Sequence, residues 1–293
     1  MTKKRDYVKI ASFLFIDEYK KERGKTVPGV IYNKFITLLY RDIKQEKDIG
    51  LPHCWYRWGD IVVKNNVPYI SWDHRNLRYT TVEWKDDVPE IDNNDRVISL
   101  IKKNIAEFLI RHTGSEAHET AKDEVYEGAP FEFQNEYRKL REALDPNNKK
   151  VSIGNQNEYY ASLFENAMDK FPTKEFKQIS DEKEKFEAVF RAGLRNEKDS
   201  CDLFDLAELF WFFFCYHLRL NKKGHENVLK ETLSIWAEKI PWETMKFGHI
   251  LQNYAAKFTD GTDDDQLIIS LLADREHRMK DIDTLLSDLD DDR

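Results

Sequence analysis

Apolar residues recur at the spacing of an α-helix in two neighbouring segments near the N-terminus. In residues 7–21 they share one face, and charged residues occupy the opposite face. Residues 24–29 are turn-forming, and residues 31–43 then repeat the helical pattern. Lys34, Arg41 and Lys44 fall on the polar side of this second segment. The pattern therefore predicts two amphipathic helices, of which the second carries an exposed basic face.

From residue 51 the period changes to that of β-strands. Alternation predicts strands over residues 58–63, 67–72 and 79–84, with a turn at residues 64–66. Four tryptophans lie in this stretch: Trp55, Trp58, Trp72 and Trp84. Alternation favours packing of Trp72 and Trp84 against the helices, and stacking on unpaired bases is the alternative. An amphipathic helix over residues 97–112 is expected to close this module.

The remainder of the chain is predicted to be almost entirely helical. Helical segments are predicted at 131–144, 158–171, 181–193, 203–219, 226–240, 242–258 and 263–289. Residues 114–128, with Gly114 and Ser115 among mixed charges, are the candidate linker. We therefore expect a mainly α protein: an α+β module at 1–113, a linker at 114–128 and an acidic helical bundle at 129–293.

The densest apolar run, residues 209–216, predicts a buried helix in the C-terminal part. It is too short to cross a bilayer and follows Asp205 and Glu208, so no membrane association is expected. The same run suggests self-association through the helical domain. The first residues lack the uninterrupted apolar segment of a signal peptide, and Cys54, Cys201 and Cys215 form no paired motif. These features favour a cytoplasmic location.

Charge is distributed unevenly along the chain. Residues 1–115 have a net charge of +5, whereas residues 116–293 have a net charge of −13. Two helices followed by a ribbon outline a winged-helix-like module, in which basic residues of the second helix and the ribbon neutralise phosphates of double-stranded DNA. The candidate nucleic-acid-binding residues are Lys25, Lys34, Arg41, Lys44, Lys64, Arg75 and Arg78. Ordinary solvation of a charged helix face is the alternative.

Two short patterns support a family resemblance. The first is Lys34-Phe35-x-x-Leu38-Leu39-Tyr40, and the second is Trp55-Tyr56-Arg57-Trp58-Gly59-Asp60. Together they resemble archaeal winged-helix-type proteins of uncharacterised role and, more distantly, Panacea-type antitoxin domains. The resemblance extends over roughly the first 90 residues. It implies a regulatory, antitoxin-like or host-defence setting, and it carries over no catalytic residue.

Two enzymatic alternatives remain open. Asp60 on one strand with Glu83 and Lys85 on a later one matches the residue types of a metal-dependent nuclease, in which two carboxylates hold Mg²⁺ and a lysine steadies water. Arg219 and His225 have the spacing of a metal-free, HEPN-like ribonuclease. His53, Cys54 and His74 lack a fourth zinc ligand, so neither a metal nor a cofactor is predicted.

The favoured interpretation is a binding protein without catalysis. In this hypothesis the basic front module contacts DNA or a protein partner, and the acidic bundle mediates docking or self-association. A transcriptional regulator or an accessory protein of a defence or toxin–antitoxin system has this organisation. The rival hypotheses are a nuclease and a protein-interaction scaffold.

Overall fold

The computed structural model describes residues 6–73, 80–113, 117–147 and 156–259. The chain divides into two compact units. Unit 1 comprises Met1–Pro130 together with Leu218–Ala237, and unit 2 comprises Phe131–His217 together with Glu238–Arg293. The sequence does not suggest that residues 218–237 belong with the N-terminal unit.

Unit 1 begins with two helices that pack through aromatic rings. Helix α1 (Tyr7–Arg23) starts at Asp6, whose carboxylate accepts from the Lys9 backbone N–H at 2.9 Å, and stops at Gly24, whose φ of 61° suits glycine. Strand β1 (Val27–Pro28) leads directly into helix α2 (Gly29–Lys44). The Phe15 ring of α1 stacks on Phe35 of α2 at 3.8 Å. Both helices lie where the periodicity predicts them.

The described residues of unit 1 form two small antiparallel sheets. Their strands are β2 (His53–Tyr56), β3 (Gly59–Val62), β4 (Ile70–Asp73), β5 (Thr81–Trp84) and β6 (His225–Glu226). One sheet has the order β1-β5-β4 and the other has the order β3-β2-β6. The predicted ribbon is therefore split between two sheets. Strands β4 and β5 join β1 in one sheet, and β2 and β3 join β6 in the other.

Helix α3 (Arg96–Arg111) closes unit 1 as predicted. It starts at Asp95, whose carboxylate accepts from the Val97 backbone N–H at 2.8 Å. Phe108 of α3 meets Phe15 and Phe35 edge-on, so α1, α2 and α3 share one aromatic core. The remainder of the core consists of aliphatic and aromatic residues that are almost fully buried.

The segment expected to be a linker contains a helix. Helix α4 (Ala117–Glu127) packs on α2 and β3, and it buries Ala121, Val125 and Tyr126. Mixed charges and a nearby glycine suggested a solvated connection, but three apolar residues at helical spacing are enough to bury one face of this helix.

Residues 218–237 return to unit 1 after most of unit 2 has been formed. The β6 strand adds to β2, and the Trp55 backbone N–H donates to the Gly224 carbonyl at 2.7 Å. Helix α9 (Lys230–Glu238) follows. Because a Cβ on Gly224 would lie 1.8 Å from the Leu218 carbonyl oxygen, only glycine fits this loop. The helix predicted over 226–240 thus corresponds to a strand, a turn and a short helix.

The regular secondary structure in the described residues of unit 2 is entirely helical. Its helices are α5 (Glu132–Leu144), α6 (Gln156–Asp169), α7 (Ser180–Arg195), α8 (Ser200–Leu218) and α10 (Ile240–Phe258). Phe210 of α8 stacks on Phe186 of α7 at 4.1 Å, and Tyr137 of α5 donates to the Ala207 carbonyl at 2.9 Å. The predicted buried helix at 209–216 is confirmed, since Phe210, Trp211 and neighbouring residues lie in the core.

The mainly α fold class with an α+β N-terminal module is confirmed. In the part of the chain that the structure describes, no helix combines the length and apolarity needed to span a bilayer. The helix predicted at 263–289 lies outside the described residues.

Candidate functional site

The basic residues predicted on the second helix do not form an exposed face. Lys34 is only 2% exposed. Arg41 donates from its guanidinium to the carbonyl oxygens of Glu124 at 2.7 Å and Val125 at 3.2 Å, at the C-terminal end of α4. The prediction of an exposed Lys34 is wrong, because α1, α3, α4 and β3 all pack around α2 and cover most of its surface.

The other predicted cations are dispersed. Lys44 pairs with Glu226 at 2.5 Å, and the Lys64 ammonium lies 4.6 Å from the centroid of the Trp72 ring. Burial lowers the pKa of Lys64. Lys25 is exposed and lines a pocket at the C-terminal end of α1. Arg75 and Arg78 lie outside the described residues.

The three residues of the metal-dependent nuclease hypothesis are not brought together on adjacent strands. Asp60 lies on β3 and Glu83 on β5, and these strands belong to different sheets. Asp60 is buried beside His53, whereas Glu83 is exposed. Among the residues with described positions, no group of three or more His, Cys, Asp or Glu side chains is arranged to hold a metal ion.

The HEPN-like pair also has a different setting from the one that the spacing suggests. Arg219 follows α8 and its guanidinium lies over the rings of Tyr56 at 5.3 Å and Trp236 at 4.8 Å. His225 lies on strand β6, paired with Cys54 of β2. Helical ribonuclease chemistry would need the histidine beside the arginine on a helical scaffold, and here a turn and a strand separate them.

An ionic cluster connects β2, β3, β6 and α2, with His53 and Asp60 buried and Glu226 and Lys44 partly exposed. His53 Nδ1 lies 2.7 Å from Asp60 Oδ1, and His53 Nε2 lies 3.6 Å from a Glu226 carboxylate oxygen. Burial alone lowers the pKa of His53, but the carboxylates of Asp60 and Glu226 together raise it above its ordinary value. Lys44 pairs with the same Glu226 carboxylate. The cluster thus ties the β6 segment to the interior of unit 1.

This cluster does not have the components of nucleophilic catalysis. Cys54 neighbours His53 along β2, so its side chain points to the opposite face of the strand. Burial raises the pKa of Cys54 far above that of a reactive thiol, and Asp60 raises it further. What the cluster does show is a set of side-chain contacts that link β2 to β3 and to β6.

The tryptophans mostly pack unit 1 together, as alternation indicated. Trp55 meets Tyr126 edge-on at 5.5 Å, Trp72 meets Tyr32 at 5.7 Å, and Trp84 meets Phe13 at 5.3 Å. Trp58 is the exception. It is 58% exposed and lies under the Arg57 guanidinium at 4.4 Å. Core packing accounts for the others, so they do not form a platform for base stacking.

A groove of about 230 Å³ lies between α1 and the β1-β5 sheet. Phe13, Ile16, Asp17 and Lys20 line it from α1 at positions i, i+3, i+4 and i+7, which form one stripe of the helix. Val27 of β1 and Val82 and Trp84 of β5 line the opposite wall. The groove is smaller than the roughly 300–1,000 Å³ of ligand pockets. Its size and apolar walls therefore suit one or two inserted side chains.

The sheet edge beside this groove is open at Trp84. The Gly29 N–H donates to the Thr80 carbonyl at 2.7 Å, and the Lys85 N–H donates to the Tyr69 carbonyl at 3.2 Å. Backbone groups alternate along a strand, so the N–H and C=O of Trp84 point toward the β1 side. In the register Val27↔Val82, the residue opposite Trp84 is number 25, two residues before β1 begins. No described backbone group hydrogen-bonds to Trp84 on that side.

The groove rim carries two carboxylates and one ammonium group. Asp17 and Glu83 are acidic, and Lys20 is basic. Asp17 also pairs with Lys21 at 2.6 Å, outside the groove. Glu83 is exposed, and its side chain projects from the face of β5 opposite to Trp84. A strand added at this edge would therefore place alternate side chains in the groove and beside Glu83.

Comparisons with known proteins found no family model, curated protein or solved structure that matches this chain. The resemblance of its N-terminal residues to winged-helix-type and Panacea-type proteins stays a prediction.

Proposed function

We propose that this chain is a non-catalytic regulatory binding protein, and that unit 1 recognises an extended segment of a partner protein that continues the line of β1 and pairs with β5 at Trp84. The observation that carries the proposal is the backbone edge of Trp84, which has no hydrogen-bond partner on the β1 side among the described residues and lies beside an apolar groove. Strand addition uses main-chain hydrogen bonds for affinity and alternate side chains for specificity. The antitoxin-like or defence setting implied by the N-terminal resemblance fits such a role.

The partner segment has a definite chemistry. Residues that point inward should be aliphatic, since Ile16, Val27 and Val82 form the walls of the groove. Residues that flank them lie on the outer face with Glu83, where a lysine or arginine forms a favourable cross-strand pair. A segment in which aliphatic and basic residues alternate therefore fits the groove and its rim.

Double-stranded DNA is the rival partner. Its binding would need several unpaired cations on one surface, because phosphate neutralisation supplies most of the non-specific affinity. Lys34 is buried and Arg41 and Lys44 are engaged within unit 1. This favours the protein partner.

The experiment titrates the protein with a fluorescein-labelled peptide of alternating valine and lysine, capped at both ends. We expect saturable binding with a Kd on the order of 100 µM, equivalent to roughly 5–6 kcal/mol. A peptide N-methylated at its valines should lose binding because it cannot donate backbone hydrogen bonds. Glu83→Lys should weaken binding about three- to tenfold through like-charge repulsion.

Glu90→Lys is the matched control, because Glu90 is also exposed but does not line the groove. Thr26→Trp provides a second test, since Thr26 is exposed at the groove and an indole would fill it. The proposal is overturned if the N-methylated peptide binds equally well, or if neither Glu83→Lys nor Thr26→Trp alters the affinity. Salt-dependent retention of mixed-sequence duplex DNA without peptide binding would favour the rival partner.

A further inference from the structure

A second pocket in unit 1 lies where the C-terminal ends of α1 and α3 meet the start of α4. Its volume is about 310 Å³, which is at the lower end of the roughly 300–1,000 Å³ typical of small-molecule sites. Phe108 and Leu109 of α3 and Ile31 of α2 supply its apolar lining. Phe108 and Leu109 are buried, so this part of the lining belongs to the core of unit 1.

The polar lining of this pocket is entirely cationic or hydrogen-bond donating. It comprises Tyr19, Arg23, Lys25, His112 and His118, and the lining contains no carboxylate among the described residues. Glu124 and Glu119 contact the two histidines, at 3.4 Å from His112 Nε2 and 3.2 Å from His118 Nδ1, but neither lines the pocket. An anion in the pocket would therefore face donors and cations.

Several of these donors have capacity left for a ligand. Arg23 uses Nη2 to donate to the Leu109 carbonyl at 2.7 Å, which leaves the other N–H groups of its guanidinium fork. Lys25 is exposed and forms no ion pair with a described residue. The pKa of Tyr19 is raised by burial, so its hydroxyl keeps the proton that it can donate. These three side chains come from the last turn of α1 and the bend after it.

The protonation of the two histidines should depend on the charge of a bound ligand. Burial lowers the pKa of His118, and the nearby Lys34 lowers it further, although Glu119 opposes both effects. Burial likewise lowers the pKa of His112, whose Nδ1 contacts Thr120 Oγ1 at 2.9 Å. Both imidazoles therefore favour the neutral form, and an anion beside the more exposed His118 would favour its protonation.

We propose that this pocket binds a small organic anion, with a phosphate or similar oxyanion headgroup held by Tyr19, Arg23 and Lys25 and an apolar body resting on Ile31 and Phe108. The apolar part of the lining selects against bare inorganic ions. The cationic part selects against neutral compounds of the same shape. Lys25 is next to Thr26 of the β5 groove, but no residue lines both the pocket and the groove, and the inference does not depend on strand addition.

The test titrates the full chain with phenyl phosphate, with inorganic phosphate and with the neutral analogue benzyl alcohol, by calorimetry. We expect phenyl phosphate to bind at least tenfold more tightly than inorganic phosphate, and benzyl alcohol to show no saturable binding. Lys25→Ala should weaken phenyl phosphate binding about five- to tenfold. Lys47→Ala is the matched control, since Lys47 is an exposed lysine that does not line the pocket.

Arg23→Lys is a second variant that keeps a cation but removes the fork that reaches both Leu109 and a ligand. We expect weaker binding of phenyl phosphate with the thermal unfolding of the chain little changed. The proposal is overturned if Lys25→Ala and Lys47→Ala bind phenyl phosphate equally, or if benzyl alcohol binds as tightly as phenyl phosphate. Equal affinity for phenyl phosphate and inorganic phosphate would also contradict it, because the apolar body would then add nothing.

Discussion

His53 Nδ1 and Asp60 Oδ1 lie 2.7 Å apart across the β2-β3 hairpin, and both side chains are nearly excluded from solvent. Their register makes the contact diagonal, because His53 pairs with Val62 and Asp60 pairs with Trp55. The pair therefore links the two strands through side chains as well as through the backbone ladder. Protonation of His53 should therefore make the stability of this hairpin depend on pH.

Replacement of Asp60 by asparagine should lower the pKa of His53, because burial would then be opposed mainly by Glu226. The raised pKa of His53 stabilises the fold below the ordinary histidine pKa of about 6.5, and this contribution disappears as pH rises through the folded-state value. We expect Asp60→Asn to destabilise unit 1 by about 1–3 kcal/mol at pH 5.5 and by less at pH 8.5. Imidazole resonances and denaturant unfolding at both pH values measure these effects.

The exposed Glu90→Gln change serves as the control for this experiment and should alter neither quantity. A loss of stability that is the same at both pH values would show that the His53 charge contributes nothing.

Arg41 and Gly128 form a second interdependent pair. A Cβ on Gly128 would lie 1.7 Å from Arg41 Nη1, so the guanidinium can reach the carbonyls of Glu124 and Val125 only while residue 128 is glycine. We expect Arg41→Ala to destabilise unit 1 by about 1.5–3 kcal/mol through loss of charged hydrogen bonds. Gly128→Ala should act by displacing the same guanidinium, with a similar effect.

A double-mutant cycle measures this coupling. Because both changes remove one interaction, Arg41→Ala combined with Gly128→Ala should destabilise the chain by less than the sum of the single changes. Additive effects in urea unfolding would mean that Gly128 has a separate role in the turn after α4.

The β6 segment should open locally when Glu226 loses its charge. Glu226 pairs with Lys44 at 2.5 Å, but both side chains are about one-third or more exposed, so the pair is worth no more than about 1 kcal/mol. Glu226→Gln should therefore speed hydrogen exchange of the Trp55 N–H, which donates to Gly224, by roughly three- to fivefold. Exchange in α5 and α7 should stay unchanged.

Asp202→Asn is the matched control, because it removes a comparable exposed ion pair, with Lys257, from unit 2. If that variant also speeds exchange at Trp55, or if Glu226→Gln leaves Trp55 unaffected, then the ion pair does not hold the β6 segment.

Periodicity in the sequence predicts elements that bury one face and expose the other. It located α1, α3 and the buried helix α8, since each has a continuous apolar face. It misplaced Lys34 on an exposed face, because a helix covered on several sides by other elements cannot be told from its own pattern alone. A buried lysine near the centre of such a helix gives the same sequence pattern as a lysine on a solvated face.

Long-range strand pairing is the other feature that the sequence pattern does not predict. Val27 and Pro28 are two residues in a turn-like stretch, and only their pairing with β5 makes them a strand. The pairing of β6 with β2 joins residues more than 170 positions apart in the chain. The groove and the anion pocket both depend on such tertiary placement of α1. Of the polar pocket residues, Lys25 alone was a sequence candidate.

The affinity of the anion pocket should increase as pH falls. The pKa of His118 is lowered in the free protein by burial and by Lys34, and a bound anion raises it, so binding takes up a proton. As pH falls, affinity should therefore rise between the pKa of His118 in the complex and its lower pKa in the free protein. Below the free-state pKa the affinity should stay constant. Phenylsulfonate is the appropriate probe, because phosphate itself titrates near pH 6. We expect about threefold tighter binding at pH 5.5 than at pH 7.5.

Charged groups around the two histidines determine which of them takes up the proton. Glu119 and Lys122 flank His118 on α4, and Arg111 and Glu124 flank His112. His118→Gln should remove most of the pH dependence, whereas His249→Gln, an exposed histidine of unit 2, should leave it intact. Calorimetry in two buffers of different ionisation enthalpy counts the protons directly. Phenylsulfonate binding without proton uptake in the unmodified chain would place His118 outside the reach of the anion.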